Sequence, residues 1–328
     1  MNIKFLKYIV CPTCNGELIL QSGNEETIIL NDNLICKLCK KIYPIIDGIP
    51  RLIDKLGTMK TTKESFSEEW KFRSYGFFEK KLSSGYSKED RYKKVLEKLD
   101  VNKNNLKQKL FLDAGCGDGE YGSEIAKNNP QTLVFLTDIS EGVKYTREKI
   151  KNFENSIVIQ CDLLKPPFKN NTFDFIWSDG VLHHTPNTFS AFSSVEKLLK
   201  KGGKFYAWFY PNYTKSYYLL ARDLLIKPYL LPPPVLYLIS IILSIPYWFF
   251  CKIFNIYKII FTPSTKHLLK KRTFLSIAFS LYDSISPTYQ FRHGKEEVKN
   301  WYDSKGYENI KIVGDLGIVG TKKNVKQI

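Results

Sequence analysis

The first ten residues hold no uninterrupted apolar core of the kind an export leader needs, because Lys4 and Lys7 break the apolar stretch there. No block of lysine and arginine alternates with aromatic residues, so the sequence lacks the signature of a dedicated RNA groove. Acids are the scarcer charge: 33 Asp and Glu against 49 Lys and Arg leave the 328 residues at +16. That balance favours contact with nucleic acid or an anionic membrane surface, or else reflects a background rich in lysine, asparagine and isoleucine. Seven cysteines without an export leader predict a reducing, cytoplasmic compartment. A hydrophobic content of 43% with 25% charged residues excludes wholesale disorder. The length admits one full α/β domain and one or two smaller units.

Four of the cysteines are paired. Cys11-Pro-Thr-Cys14 and Cys36-Lys-Leu-Cys39 are two C-x-x-C knuckles with 21 residues between them. Each knuckle points two thiolates at one ion, and two knuckles close a four-thiolate shell around tetrahedral Zn2+. A closed shell leaves no open coordination position, so such a metal holds structure and does not catalyse. A redox pair and four unrelated buried thiols are the alternatives.

Further on, the apolar run Leu110-Phe-Leu-Asp-Ala114 feeds into Gly115-Cys-Gly-Asp-Gly119. This predicts a buried strand ending in a tight turn where a ligand lies against bare backbone. A second apolar run, 132–137, ends at Asp138, 23 positions past Gly115, where nucleotide-binding α/β folds place an acid on ribose hydroxyls. The spacing is G-x-G-x-G and not the dinucleotide G-x-G-x-x-G, so a pyrophosphate is not the obvious guest.

Asp113-Ala-Gly-Cys-Gly-Asp-Gly119, Asp138 and Cys161-Asp162-Leu163 together resemble the class I S-adenosylmethionine-dependent methyltransferases. The likeness continues through Phe173-Asp-Phe-Ile-Trp-Ser178, Val181-Leu-His-His184 and Leu198-Leu-Lys-Lys-Gly-Gly-Lys204, in the family's order, over 106–210. The resemblance implies a doubly wound, mostly parallel seven-stranded sheet. Strand patterns at 109–114, 132–138, 156–161, 173–178 and 203–210, with helices between, agree with it. A helix over 294–305 and two closing strands, 307–313 and 316–321, are expected to finish the sheet, the last strand antiparallel.

By that resemblance Asp113, Gly115, Gly117 and Gly119 wall the S-adenosylmethionine pocket, and Asp138, followed by Ile139, takes the ribose. Asp162 and Leu163 meet the adenine; Ser178 and Asp179 face the methionyl end and the acceptor. His183 and His184, at the mouth, are candidate bases with Asp179, or merely pack the loop. His293 is a further candidate, or a loop histidine bonded to backbone. The fourth strand lacks the Asn/Asp-Pro-Pro-Tyr/Phe box of exocyclic-amine methyltransferases and the Pro-Cys pair of a cytosine-C5 enzyme. O- or C-methylation of a bulky apolar, amphipathic or lipid-linked acceptor fits best. RNA methylation aided by the ribbon and a non-catalytic scaffold remain the alternatives.

Five segments follow: a zinc ribbon (1–55), a linker with cofactor-covering helices (56–105), the core (106–210), an apolar helical insertion (211–290) and the closing elements (291–328). The ribbon and its tail, Tyr43-Pro-Ile-Ile-Asp-Gly-Ile-Pro-Arg-Leu-Ile53, look like the small zinc-ribbon proteins that activate certain tRNA and protein methyltransferases. Fused in cis, the ribbon is expected to buttress its own catalytic domain, and loss of its metal to act locally. Phe66, Trp70, Tyr75 and Phe77 are expected over the cofactor, or packed on ribbon or sheet. Residues 228–251 carry no charge, yet Pro232, Pro233, Pro234 and Pro246 interrupt them, and a single span would part the last strands from their sheet. A buried lid and a hairpin kinked at Pro246 and dipping into one leaflet are the two readings. The flanking Arg222, Lys227, Lys252, Lys258, Lys270, Lys271 and Arg272 suit peripheral contact with anionic lipid. Either way the insertion is expected to govern acceptor choice and leave cofactor binding alone.

Overall fold

A computed structural model describes residues 1–23, 26–54, 57–74, 88–212, 231–254 and 274–324. Tyr75, Phe77, Arg222, Lys227, Lys258, Lys270, Lys271 and Arg272 lie outside the described residues. The N-terminal unit is a short 3-10 turn, Ile3–Tyr8, and four antiparallel strands: β1 (Leu18–Leu20), β2 (Asp32–Cys36), β3 (Ile42–Ile46) and β4 (Ile49–Leu52). Helices α1 (Lys60–Ser74) and α2 (Lys88–Leu99) follow.

The alternating core comes next. It runs β5 (Leu110–Ala114), α3 (Glu120–Asn128), β6 (Leu133–Asp138), α4 (Val143–Ile150), β7 (Ser156–Cys161), β8 (Phe173–Asp179), α5 (Thr188–Glu196) and β9 (Leu199–Trp208). After the two-residue strand β10 (Tyr210–Pro211), the described insertion contains α6 (Pro233–Phe254) and α7 (Phe274–Ile285). The two-residue β11 (Arg292–His293), α8 (Lys295–Ser304), β12 (Tyr307–Val313) and β13 (Gly317–Lys322) close the chain.

The strand order is β1-β2-β3-β4-β7-β6-β5-β8-β9-β13-β12. From β7 to β12 this is the expected seven-stranded sheet, parallel except for β13, which runs antiparallel to both neighbours. Its central strands are buried on both faces, as their unbroken apolar runs require.

The sheet is larger than expected. It has eleven strands, because β4 pairs in parallel with β7, Arg51 opposite Gln160 and Leu52 opposite Cys161. The ribbon thus covers a sheet edge that would otherwise expose unpaired backbone groups. One apolar cluster joins Phe5, Ile9, Leu34 and Tyr43 of the ribbon to Phe135, Ile157 and Phe168 of the core. The rings of Phe5 and Tyr8 meet Phe135 edge-on, with centroids 5.2 and 5.4 Å apart. Ribbon and core share one interior.

The insertion returns where it left: Tyr210 pairs with Arg292 and Pro211 with His293. Helix α6 continues through Pro246, packs on α7 and touches α1. Among the described residues no helix is long and apolar enough to cross a membrane.

Candidate active site

β5 carries the chain to the carboxyl edge of the sheet, and the glycines after Asp113 turn it there. Gly115 and Gly117 have φ of +86° and +56°, which L side chains resist. Space forbids a side chain as well: a Cβ on Gly115 would stand 2.3 Å from Val181, and one on Gly117 would stand 2.3 Å from the Trp70 ring. Gly119, also left-handed, backs onto Thr146, whose hydroxyl donates to the Gly117 carbonyl at 2.9 Å.

Asp113 is buried and accepts a hydrogen bond from the Gly122 amide at 2.9 Å. Burial lifts its carboxyl from 3.8 to about 7, and the charges of Asp138, Asp179 and Asp118 push the same way. A raised carboxyl binds more protons folded than unfolded, so its contribution to stability is full below pH 4 and falls as pH rises towards 7. The span corresponds to something on the order of 4 kcal/mol. Asp113→Asn is expected to flatten that part of the stability–pH curve in urea titrations between pH 4 and 8. A slope equal to wild type would refute the assignment.

Asp138 sits at the tip of β6. One carboxylate oxygen accepts from the Gly117 amide at 2.8 Å, the other from the Ser140 amide at 2.8 Å and the Ser140 hydroxyl at 2.6 Å. It therefore stitches the glycine loop to its own strand. Burial raises its carboxyl and these bonds oppose the rise. The carbonyl of Ile139 accepts from Gln160 at 3.0 Å, while Gln160 accepts from Arg51 at 2.8 Å. Arg51 also reaches Glu141 at 3.2 Å, so the ribbon's last strand braces the turn that follows Asp138.

Asp162 accepts from the Leu164 amide at 2.8 Å and burial raises its carboxyl; Leu163 packs into the core. The Ser178 hydroxyl donates to the Ala114 carbonyl at 2.9 Å. Asp179 is held by Lys94 at 2.7 Å, and Lys94 also contacts Tyr121 at 2.6 Å.

Helix α1 roofs this edge. Trp70 lies on Gly117 and Gly142, the Ser67 hydroxyl accepts from the Glu141 amide at 2.9 Å, and Arg73 pairs with Asp118 and Glu120.

Comparison with known proteins agrees with this geometry. A methyltransferase-domain family model matches residues 112–207, and a Trm112p-like protein model matches 2–48. The chain carries a methyltransferase domain behind a Trm112p-like N-terminal unit. An uncharacterized chloroplastic methyltransferase of Arabidopsis thaliana is 24% identical over 66% of this chain and 65% of its own length. The sterol 24-C-methyltransferase ERG6 of Saccharomyces cerevisiae is 31% identical over 30% of this chain and 27% of its own. The UPF0434 protein YcaR of Escherichia fergusonii is 39% identical over 20% of this chain and its entire length. The chain thus spans less than two thirds of the plant and yeast relatives and all of the small ribbon protein.

Beyond the tip of β8, His183 is fully buried between the rings of His184 and Tyr210, with centroids 4.3 and 4.1 Å away and the planes tilted. Among the described residues neither of its ring nitrogens has a partner. Burial, then the charges of His184, His293 and Arg292, hold it well below the ordinary histidine value, so it is neutral. His184 bonds the Tyr289 carbonyl through Nδ1 at 2.8 Å and meets Phe66 of α1 edge-on at 5.1 Å. His293 is engaged through both nitrogens, by Glu297 at 2.9 Å and Thr188 at 3.1 Å.

The sulfurs of Cys11, Cys14, Cys36 and Cys39 all lie within 4.8 Å of one another. Tetrahedral Zn–S bonds of about 2.3 Å place sulfurs about 3.8 Å apart, and this cluster fits that shell.

Sequence reading passed over Arg51, Lys94, Thr146 and Gln160. Their roles arise from pairings across 21 to 109 positions of chain, and polar residues of this kind carry no local signal.

Proposed function

We propose that this methyltransferase transfers a methyl group to an oxygen or carbon of a bulky apolar, amphipathic or lipid-linked small molecule. S-adenosylmethionine supplies the methyl already activated on its sulfonium, so the protein's tasks are alignment and, for a hydroxyl acceptor, proton removal. Asp138 would hold the ribose hydroxyls, Asp162 the adenine amino group, and the glycine loop the wall beneath them. Ser178 and Asp179 would border the methionyl end. His184 and Asp179 would take the proton, with neutral His183 backing the His184 ring. Zinc in the four-thiolate shell would serve structure alone.

The observation that carries the acceptor class is the outer face of α6. Leu238, Ile242, Ile245 and Phe249, at helical spacing, are each more than half exposed. An apolar stripe on an otherwise basic chain suits an anionic lipid surface from which such an acceptor is drawn. A sterol acceptor, as the yeast relative's name gives it, belongs to this class.

The stripe also sets the test. Phe72 of α1 stacks on Tyr237 of α6 at 4.4 Å, so the insertion is tied to the cofactor roof, and excising it would disturb both. Polar substitution of Leu238, Ile242, Ile245 and Phe249 spares that contact. The variant is expected to keep its S-adenosylhomocysteine affinity and to lose at least about tenfold in binding to anionic vesicles. Transfer of labelled methyl into a membrane lipid extract should fall with it. Wild-type protein that transfers no label into any cell extract would refute the reaction, and unchanged vesicle binding would refute the lipid surface.

A further inference from the structure

Lys63, Ser67 and Trp70 of helix α1 stand at i, i+4 and i+7 and so form one stripe along it. All three meet the turn that follows Asp138. Lys63 pairs with the Glu141 carboxylate at 3.4 Å, and the Ser67 hydroxyl accepts from the Glu141 amide at 2.9 Å. That hydroxyl donates its own proton to the Lys63 carbonyl at 2.6 Å, so it presents only lone pairs to the turn. Trp70 lies against the next residue, Gly142. A Cβ there would stand 2.7 Å from the indole ring and 2.8 Å from the Gly117 carbonyl. Gly142 has an ordinary helical backbone, with φ of −51° and ψ of −28°. Its conformation does not call for glycine; the ring and the carbonyl pressed against it do.

The other side of Glu141 is held by the ribbon and the sheet. Arg51 of β4, with only 10% of its side chain exposed, reaches the carboxylate at 3.2 Å and Gln160 at 2.8 Å. Gln160 of β7 donates to Glu141 at 3.1 Å, and to the carbonyls of Ile139 and Ser140 at 3.0 and 3.2 Å. A third cation, Lys144 of α4, reaches Glu141 from the exposed side at 3.0 Å. One carboxylate thus joins the ribbon, the sheet and the helix that lies over the glycine loop.

We infer that Glu141 and Gly142 form the seat on which α1 closes over bound S-adenosylmethionine, and that Arg51 of the ribbon fixes this seat. Glu141 is then a positioning residue for the cofactor, acting through Trp70. The inference rests on the reading that the cofactor lies on the glycine loop beside Asp138. Trp70 covers Gly117, the glycine whose amide Asp138 accepts from, so a helix that rocks off Glu141 uncovers the loop and releases the cofactor. A 15-residue helix keeps its place by tertiary contacts more than by intrinsic helicity. Arg73 anchors its last turn on Asp118 and Glu120, and the seat holds the turns before it.

The test is calorimetric binding of S-adenosylhomocysteine to the full chain, with the unfolding temperature of each variant measured alongside. Glu141→Ala is expected to weaken binding about tenfold, and Trp70→Ala by about as much. Arg51→Met, a change made in the ribbon, should weaken it about threefold to fivefold, and Arg51→Lys, which keeps a cation, should recover part of that. The double variant decides the route. If Glu141 acts through Trp70, adding Glu141→Ala to Trp70→Ala changes affinity by less than about twofold, whereas independent effects would multiply to about a hundredfold. Such a multiplied loss, or a folded Glu141→Ala that binds as tightly as wild type, overturns the inference. Folded Arg51→Met with wild-type affinity removes the ribbon from the seat. If Glu141→Ala does not fold, Lys63→Met combined with Ser67→Ala breaks the seat from the helix side and carries the same expectations. Asp138→Ala separates the two readings. Should it bind normally, the glycine-loop site itself is wrong; should it bind weakly while the seat variants bind normally, only the seat fails.

Discussion

Cys36→Ser is expected to strip the ribbon of its metal and to lower the unfolding temperature of the whole chain by roughly 10–20 °C, as a loss of about 5 kcal/mol would. Cys36 is fully buried at the end of β2, and its sulfur lies 3.4 Å from that of Cys14. Structural zinc supplies folding free energy where it is bound, so on sequence grounds the damage should stay within the first 55 residues. The structure gives it a longer reach. β4 pairs with β7, and the ribbon's aromatic residues close over Phe135 in the middle of the catalytic sheet. Calorimetry should therefore show one transition moved down, not a ribbon melting ahead of an unchanged core. Elemental analysis of wild type should give one zinc per chain. Substoichiometric metal in protein prepared without chelators, or a main transition untouched by the substitution, would count against this account.

Asp138→Ala should weaken S-adenosylhomocysteine binding by ten- to a hundredfold, or about 1.5–3 kcal/mol. It should also lower stability in the absence of cofactor. The second effect follows from the three hydrogen bonds that Asp138 accepts from Gly117 and Ser140. Removing the carboxylate strands the Gly117 amide beneath Trp70, at about 1–3 kcal/mol for a buried donor without a partner. Asp138→Asn keeps an acceptor oxygen for that amide, so it should recover part of the stability and little of the affinity. Calorimetry that finds affinity intact in Asp138→Ala would remove Asp138 from the cofactor site. No cofactor binding by folded wild type would remove the site itself.

The sequence by itself determined the alternating core, the glycine loop with its acid 23 residues on, the paired knuckles and the closing antiparallel strand. Each is a local pattern: an apolar run, a turn that only glycine enters freely, two cysteines on one knuckle. Their physics acts within a few residues, so it is written in neighbouring letters. The tertiary structure alone decided that β4 joins the catalytic sheet and that Arg51 braces the turn after Asp138. It also decided that α1 carries Trp70 onto Gly117 and Phe72 onto the insertion. The burial of Glu69 belongs to the same class. Nothing in the charged run Glu64-Ser-Phe-Ser-Glu-Glu-Trp70 separates the exposed Glu64 from the sealed Glu69. That difference depends on which face of α1 the sheet and the insertion cover, and burial, which sets a carboxyl's charge, is a property of the assembled layers.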